Sequence, residues 1–475
     1  MMTLLEIERL SETEKAELIL SQWRELQDLR ARNAALEVEL GELKTKLKEL
    51  EDKLSRPAKD CRNSSIPPSQ TRKANQPAAP PDRAKGHRKA SVGRAGGGRR
   101  LHPTPDQFIV AKVRCCPHCR EPIPEETQGV QAVYDKIELP PVKPMVTRVT
   151  QYGGRCPHCD EPYVAPVPTG MEAGTPFGRS IQALATYLRY SHAISYERLS
   201  ALFREVFDLS ISEGALSNMF QSINVRLDHQ VAEILDRLRH SRLVCSDETS
   251  ARVNGRTQWE WVFQNKEVCV HVIRPSRGHG VISEVFAEPG PRPTIWVSAL
   301  YSAQRNHPAQ QWQVCLAHQL RDCQFAIEAG DQVVAPVMKS MLLRSVVIHQ
   351  RRDTLAESTL AHYRRDLDRR VERCLERQPT NNHGIRLKKR YTKIKENLFL
   401  FLEDASIPPT NNSSEQAIRM SVIFRKVTNC FRSDWGRDLF AAVRSVVNTG
   451  KRQGLSAYQS ILRAVGLNRS LFDSS

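Results

Sequence analysis

The sequence predicts a multidomain α/β protein. It has an N-terminal coiled coil, a small two-knuckle module, a helical domain, and a mixed sheet carrying a helical insertion. Three observations carry this: a leucine heptad near the start, a Cys-Pro-His-Cys tetrapeptide that occurs twice, and three hairpin-connected strands followed by strand–helix alternation. At 475 residues the chain has room for about three domains, and 40% apolar content excludes a wholly disordered or wholly coiled-coil chain. Lys+Arg 70 against Asp+Glu 53 leaves a net charge of +17, which favours a polyanionic partner. No apolar run is longer than Leu398–Leu402, too short for a membrane span, so no membrane partner is expected. The acidic, amphipathic N-terminus fits neither a signal nor a transit peptide. A cytoplasmic, reducing location is therefore expected, in which the 12 cysteines are thiols or metal ligands rather than disulfides.

The first element is the coiled coil, residues 1–54. Positions 26, 33, 40, 47 and 54 form one heptad stripe and 29, 36, 43 and 50 the other, all leucine except Asn33. A single buried Asn at position a fixes a parallel two-stranded register. Glu25–Arg30, Arg32–Glu37, Glu39–Lys44 and Lys46–Glu51 are opposite-sign pairs across such an interface, so a homodimer is expected; the competing reading is a helix packed on its own domain. Residues 55–108 change character, with Pro, Ser, Ala and Gly dominating and Asp60 and Asp82 outnumbered by Lys and Arg. This reads as a disordered basic linker, either a cationic arm on phosphate or a solvated spacer.

Residues 109–168 form the second element. Cys116, Cys119, Cys156 and Cys159 make two C-x₂-C pairs that can close a structural tetrahedral zinc site. Ala132–Leu139 and Met145–Tyr152 between them read as strands of a zinc ribbon, a DNA-binding module too small for its own core. Cys115 breaks the repeated spacing, and Cys245, Cys269, Cys315 and Cys323 lie in apolar contexts as core thiols.

Residues 175–238 are helical by periodicity, and Tyr196–Phe207 with Glu213–Ile223 has the size of a helix-turn-helix, which plain helical pairs share. Strands follow at Leu243–Asp247, Gln258–Gln264, Glu267–Arg274, Pro293–Leu300 and Trp312–Leu316, with Asn254-Gly255 as the first turn. Three antiparallel strands and then strand–helix alternation fit a ribonuclease-H-like mixed sheet over 241–330 and 405–455, interrupted by a helical insertion at 331–404. Residues 456–475 form a C-terminal helix and tail.

The chain resembles the DDE transposases of bacterial insertion sequences, in the sixty-six group. The resemblance runs from the coiled coil through Asn63-Ser64-Ser65-Ile66-Pro67-Pro68-Ser69 and both CPHC knuckles to Ser246-Asp247-Glu248-Thr249. It continues in Ile295-Trp296-Val297-Ser298, Cys315-Leu316-Ala317-His318 and Thr410-Asn411-Asn412-Ser413-Ser414-Glu415-Gln416-Ala417-Ile418-Arg419. It implies binding of double-stranded DNA, both the terminal inverted repeats of an element and target DNA, in some cases with small accessory proteins. It also implies cleavage and strand transfer with Mg²⁺ or Mn²⁺, whose hard character suits carboxylates. Asp247 would be the first metal-binding carboxylate and Glu415 the last. On residue type alone, Asp247 could equally be a strand-end turn residue and Glu415 a helix-dipole partner.

One departure from the family pattern decides the expected activity. The family's second Asp follows the Trp-Val-Ser of the middle strand, where this chain has Ala299. Alanine cannot ligate a metal, and neither Asp322 nor Glu284 is an evident substitute, so impaired catalysis is expected. His318 and Arg321, one helical turn apart, are candidates for the scissile phosphate and equally for a core or surface role. Arg419, Arg425, Lys426 and Arg432 (with Arg437) interleave with Phe424, Phe431 and Trp435, a composition that suits phosphate clamping and stacking on an unpaired base. A packed amphipathic element has the same composition. The alternative functions are a non-catalytic DNA-binding repressor or dominant-negative relative, and a nuclease without strand transfer.

Overall fold

A computed structural model describes residues 11–54, 56–60, 62–64, 99–287, 290–379, 381–466 and 471–472. Most of the basic linker, including Ser65–Ser69, and residues 1–10 of the coiled coil lie outside the described residues. By its contacts the chain divides into two units, one of Pro77–Pro176 with Ile194–Met219, the other of Met1–Gln76, Phe177–Ala193 and Phe220–Ser475.

The first unit holds the two knuckles. Each closes the same turn: Arg120 N donates to Cys116 O at 2.9 Å and Asp160 N to Cys156 O at 2.9 Å, with Arg120 and Asp160 both at positive φ. The expected strands at Ala132–Leu139 and Met145–Tyr152 are absent; the pairing observed is β1 (Gly153–Arg155) with β2 (Pro162–Val164), which frames the second knuckle. The alternation of apolar residues misled because nothing covers them, and no residue from 99 to 176 is buried. Residues 175–238 are helical, but the contacts split them between the units rather than making one domain. In the first unit, Ser195 caps a helix that ends at Asp208 (φ 51°), and Ser200 Oγ donates to Ile211 O at 2.6 Å, giving the compact turn of a helix-turn-helix.

The second unit begins with α1 (Glu12–Leu54), whose leucines point into solvent; Leu36 is 60% exposed and Leu43 55%. The start of the linker is ordered, contrary to the expectation of disorder. Asp60 and Asn63 cap each other's backbone amides, and Asn63 Nδ2 donates to Glu328 Oε2 at 2.6 Å, so local hydrogen bonds replace the missing apolar burial.

The sheet joins β3 (Leu243–Val253), β4 (Arg256–Gln264), β5 (Cys269–Arg274), β6 (Ile295–Ser298) and β7 (Gln311–Val314) in the order β5-β4-β3-β6-β7. The first three are antiparallel; β6 and β7 are parallel to β3. Asn254 and Gly255 both take positive φ, as the tight β3–β4 turn requires. This order is consistent with a ribonuclease-H-like core. After α5 (Leu316–Glu328, the helix following β7) come the helices Ala335–Gln350, Glu357–Glu376 and Asn382–Ile394, which are the expected insertion. Met338, Leu342, Leu367, Tyr391, Phe399 and Phe401 merge with Val297, Val314 and Leu316 of the sheet in one core. Several of the insertion's basic side chains pair with acids: Arg370 with Asp366 at 2.8 Å, Arg364 with Glu403 at 2.9 Å, and Arg390 with Asp322.

Candidate active site

Asp247 stands midway along the central strand β3. Its neighbour β6 runs parallel in the register Cys245↔Val297, and continuing that register two residues brings Ala299 level with Asp247. Glu415 lies in the first turn of α6 (Asn412–Thr428). The cap residue Asn411 ties this helix start to the strand: fully buried, it donates from Nδ2 to Ser246 O at 2.7 Å and from its amide to Cys315 Sγ at 3.1 Å. Gln264 adds hydrogen bonds to Ser413 (2.8 Å) and Ser414 (3.0 Å). Asp247 and Glu415, far apart in sequence, thus come close enough for their charges to interact. Burial, then the charge of Glu248, and further on that of Glu415, push the Asp247 carboxyl from its usual 3.8 up to about 8.

His318 and Arg321 on α5 both face Glu415: His318 Nε2 is 3.8 Å and Arg321 Nη1 3.6 Å from Glu415 Oε1. Burial holds the His318 imidazole below its usual range against the pull of Glu415, so it is neutral near pH 7. Glu248, on the opposite side of β3 from Asp247, is held by Arg277 at 2.8 Å and by Gln304 at 2.7 Å. Arg277 stacks on Tyr301 (3.9 Å) and Trp259 (4.4 Å). Glu248 and Asn411 lie in quoted motifs that gave them no contact role, and Arg277 and Gln304 lie outside those motifs. Asp322 pairs with Arg390 and Glu284 with Arg274, so neither supplies the missing acid.

The basic–aromatic stretch divides. Phe424 is 1% exposed and packs against Phe431 (5.8 Å), Phe440 (4.6 Å) and Tyr190 (6.1 Å), so the expected base-stacking surface is instead a packed aromatic core. The parallel bridge of Phe431 to Val253 locks that segment onto the end of β3. Arg437 is engaged by Asp434 and Asp438. Arg419, Lys426 and Arg432 stay at the surface, while Arg425 is half-buried with Nη1 3.4 Å from Ser250 Oγ. Among the described residues no three His, Cys, Asp or Glu side chains stand together as a metal-ligand set. The two carboxylates Asp247 and Glu415 interact without a third ligand beside them, and the cysteine pairs do not meet among the described residues.

The crowding of Asp247 has a measurable consequence. A carboxyl raised from 3.8 to about 8 by the fold takes up protons on folding, so its ionisation erodes stability progressively between those pH values. Asp247→Asn should raise the stability of the metal-free protein at pH 8 by on the order of 2 kcal/mol, with the difference vanishing near pH 4. Thermal melts at the two pH values check this; an unchanged or lower melting temperature at pH 8 would contradict the crowding.

The sheet order is consistent with a ribonuclease-H-like core, and the family of the chain comes from its sequence. Residues 174–438 match the family described as Transposase IS66 family, which is more than half of the chain, and the chain belongs to that family. A solved structure described as "Crystal structure of the Mos1 Strand Transfer Complex" is 13% identical, with a TM-score of 0.12, covering 30% of this chain and 60% of that one. No curated protein matches. No helix among the described residues is long and apolar enough to cross a membrane.

Proposed function

We propose that this transposase binds the ends of its mobile element and acts on DNA through Asp247 and Glu415, and that Ala299 leaves its strand-transfer activity impaired. The observation that carries the reading is the approach of Glu415 to Asp247 beside Ala299. Two carboxylates offer hard oxygen donors that fit one Mg²⁺ or Mn²⁺ and fall short of the set that two ions need. Such an ion, when bound, would stabilise charge on the phosphate undergoing attack. The chain's own residues do the rest: Asn411 and Gln264 hold Glu415 toward the strand, and Arg321 stands ready to pair with a phosphate oxygen. The exposed Arg419, Lys426 and Arg432 give the DNA backbone cations near the cut. The test is strand joining of a precut element end in Mg²⁺ or Mn²⁺, run on the unaltered chain and on Ala299→Asp. Equal rates in the two proteins would refute the impairment, and retention of joining in Glu415→Gln would refute the site.

The same reading includes a parallel dimer through α1 and a zinc-closed module from the four knuckle cysteines. Each solvent-facing leucine of α1 would gain about 1.5–3 kcal/mol on burial. Sedimentation should give a dimer at micromolar concentration, and the double variant Leu36→Asp, Leu43→Asp should sediment as a monomer. A monomer in the unaltered protein would remove the zipper. The non-catalytic repressor is the second reading, favoured by Ala299 alone, and end binding without joining even in Ala299→Asp would select it.

A further inference from the structure

A cavity of about 990 Å³ opens in the second unit beside α6, and neither Asp247 nor Glu415 lines it. Ser413, Gln416, Ala417 and Met420 face it from α6 at helical spacing. The long helix α7 (Asp434–Arg452) contributes Arg444, Asn448, Lys451 and Arg452 from one stripe, and Lys266 and Arg419 add further cations. Among the described residues no Asp or Glu lines it. Arg444 is only 4% exposed. A guanidinium buried this deeply is costly without a counter-charge. Glu260 is the carboxylate whose charge reaches it, but Glu260 is already bonded to His271 (2.8 Å) and Ser421 (2.7 Å). Arg444 Nη2 donates to Asn448 Oδ1 at 3.0 Å, whereas its Nε has no partner among the described residues. Ser191 Oγ and His349 Nδ1, on other walls of the cavity, are equally unpartnered among the described residues. Burial and mutual repulsion also lower Lys451, and a bound anion would relieve both.

We propose that this cavity is a binding site for a nucleoside phosphate. The Arg444 guanidinium with its unpartnered Nε, the Lys451 ammonium and amide and hydroxyl donors, in one cavity with no acid among its described lining residues, suit a phosphate group, whereas Arg452 is already bonded to Asn265, Asn448 and Gln264. Tyr187, Ile423 and Val447 supply an aromatic and apolar wall for a base, and the volume fits a nucleotide. The ligand is either a free nucleotide or the phosphorylated end of a DNA strand, since both present the same chemistry. The inference is independent of strand transfer, because binding here needs neither a metal nor the carboxylate pair.

Calorimetric titration of the full chain in metal-free buffer tests it, using deoxyadenosine 5′-monophosphate, inorganic phosphate and a short single-stranded oligonucleotide with a 5′ phosphate. The expected result is one saturable mononucleotide site per chain, displaced by inorganic phosphate and weakened about tenfold or more by Lys451→Glu. Arg444→Met should abolish binding, but this buried change can also disturb folding, so the exposed Lys451 carries the test. An oligonucleotide no tighter than the mononucleotide identifies a free nucleotide as the ligand. One that binds about tenfold tighter, and loses this when its 5′ phosphate is removed, identifies a strand end. No saturable binding of any probe at about 10 mM, or mononucleotide affinity unchanged in Lys451→Glu, overturns the proposal.

Discussion

Ala299→Asp should raise metal-dependent strand joining by about three to five orders of magnitude, equivalent to roughly 4–7 kcal/mol of transition-state stabilisation. Ala299 follows directly on β6, and extending the parallel β3–β6 register past Cys245↔Val297 carries it level with Asp247, so a carboxylate placed there would add to the acidic pair. Two further signatures separate metal ligation from a packing effect. Ala299→Asn is nearly the same size but uncharged and should not rescue. A third carboxylate beside one already pushed up to about 8 should also lower the melting temperature of the metal-free protein, and added Mg²⁺ should narrow that gap. A rescue by Asn, or joining by the unaltered chain at the rate of the variant, would mean that Ala299 is not the missing ligand position.

Local chemistry explains which parts of this fold were legible. The β3–β4 hairpin was announced by Asn254-Gly255, because positive φ at both central residues is a demand few residue types meet. Glu415 could be placed at a helix start because Asn411-Asn412-Ser413 is rich in cap residues, and the helix begins at Asn412. What sequence periodicity does not carry is the identity of the facing surface. Phe424 and Phe431 have the spacing of a stacking platform, yet Phe440 of the next helix covers both, and Tyr190, from a distant segment, stacks on Phe424. Ala132–Leu139 alternates like a strand but has no partner strand and no covering layer. The Glu248–Arg277–Gln304 cluster was missed for the same reason, since two of its three members sit outside the motifs.

The candidate site also shows why stability and chemistry pull apart here. Asp247, Glu248 and Glu415 bring three carboxyls within electrostatic reach of one another, and Arg277 and Arg321 offset them only in part. Glu248 has its own salt bridge and hydrogen bond, whereas among the described residues Glu415 has the longer contacts to His318 and Arg321. Glu415 is therefore the more available of the two for a divalent cation, and its helix position makes that availability depend on Asn411. The buried tie from Asn411 to Ser246 O is a positioning contact whose loss would let α6 drift from β3.

Removing zinc should have the second largest effect. Nothing between residues 99 and 176 is buried, so the knuckle module has no apolar core to hold it, while structural zinc in small domains supplies about 10–16 kcal/mol of apparent folding energy. The backbone turns are already formed at both knuckles, and amide hydrogen bonds hold the Cys116 and Cys156 thiols below their usual range, which favours the thiolate that a metal requires. One zinc per chain is expected by elemental analysis. Cys156→Ser or chelation should make this stretch rapidly cleavable by protease and weaken binding to element ends by about tenfold or more. The sheet unit should keep its melting temperature, because its core clusters are formed by its own residues. An unchelated protein that carries no zinc, or a Cys156→Ser variant no more cleavable than the unaltered protein, would show that the paired cysteines are not a structural metal site.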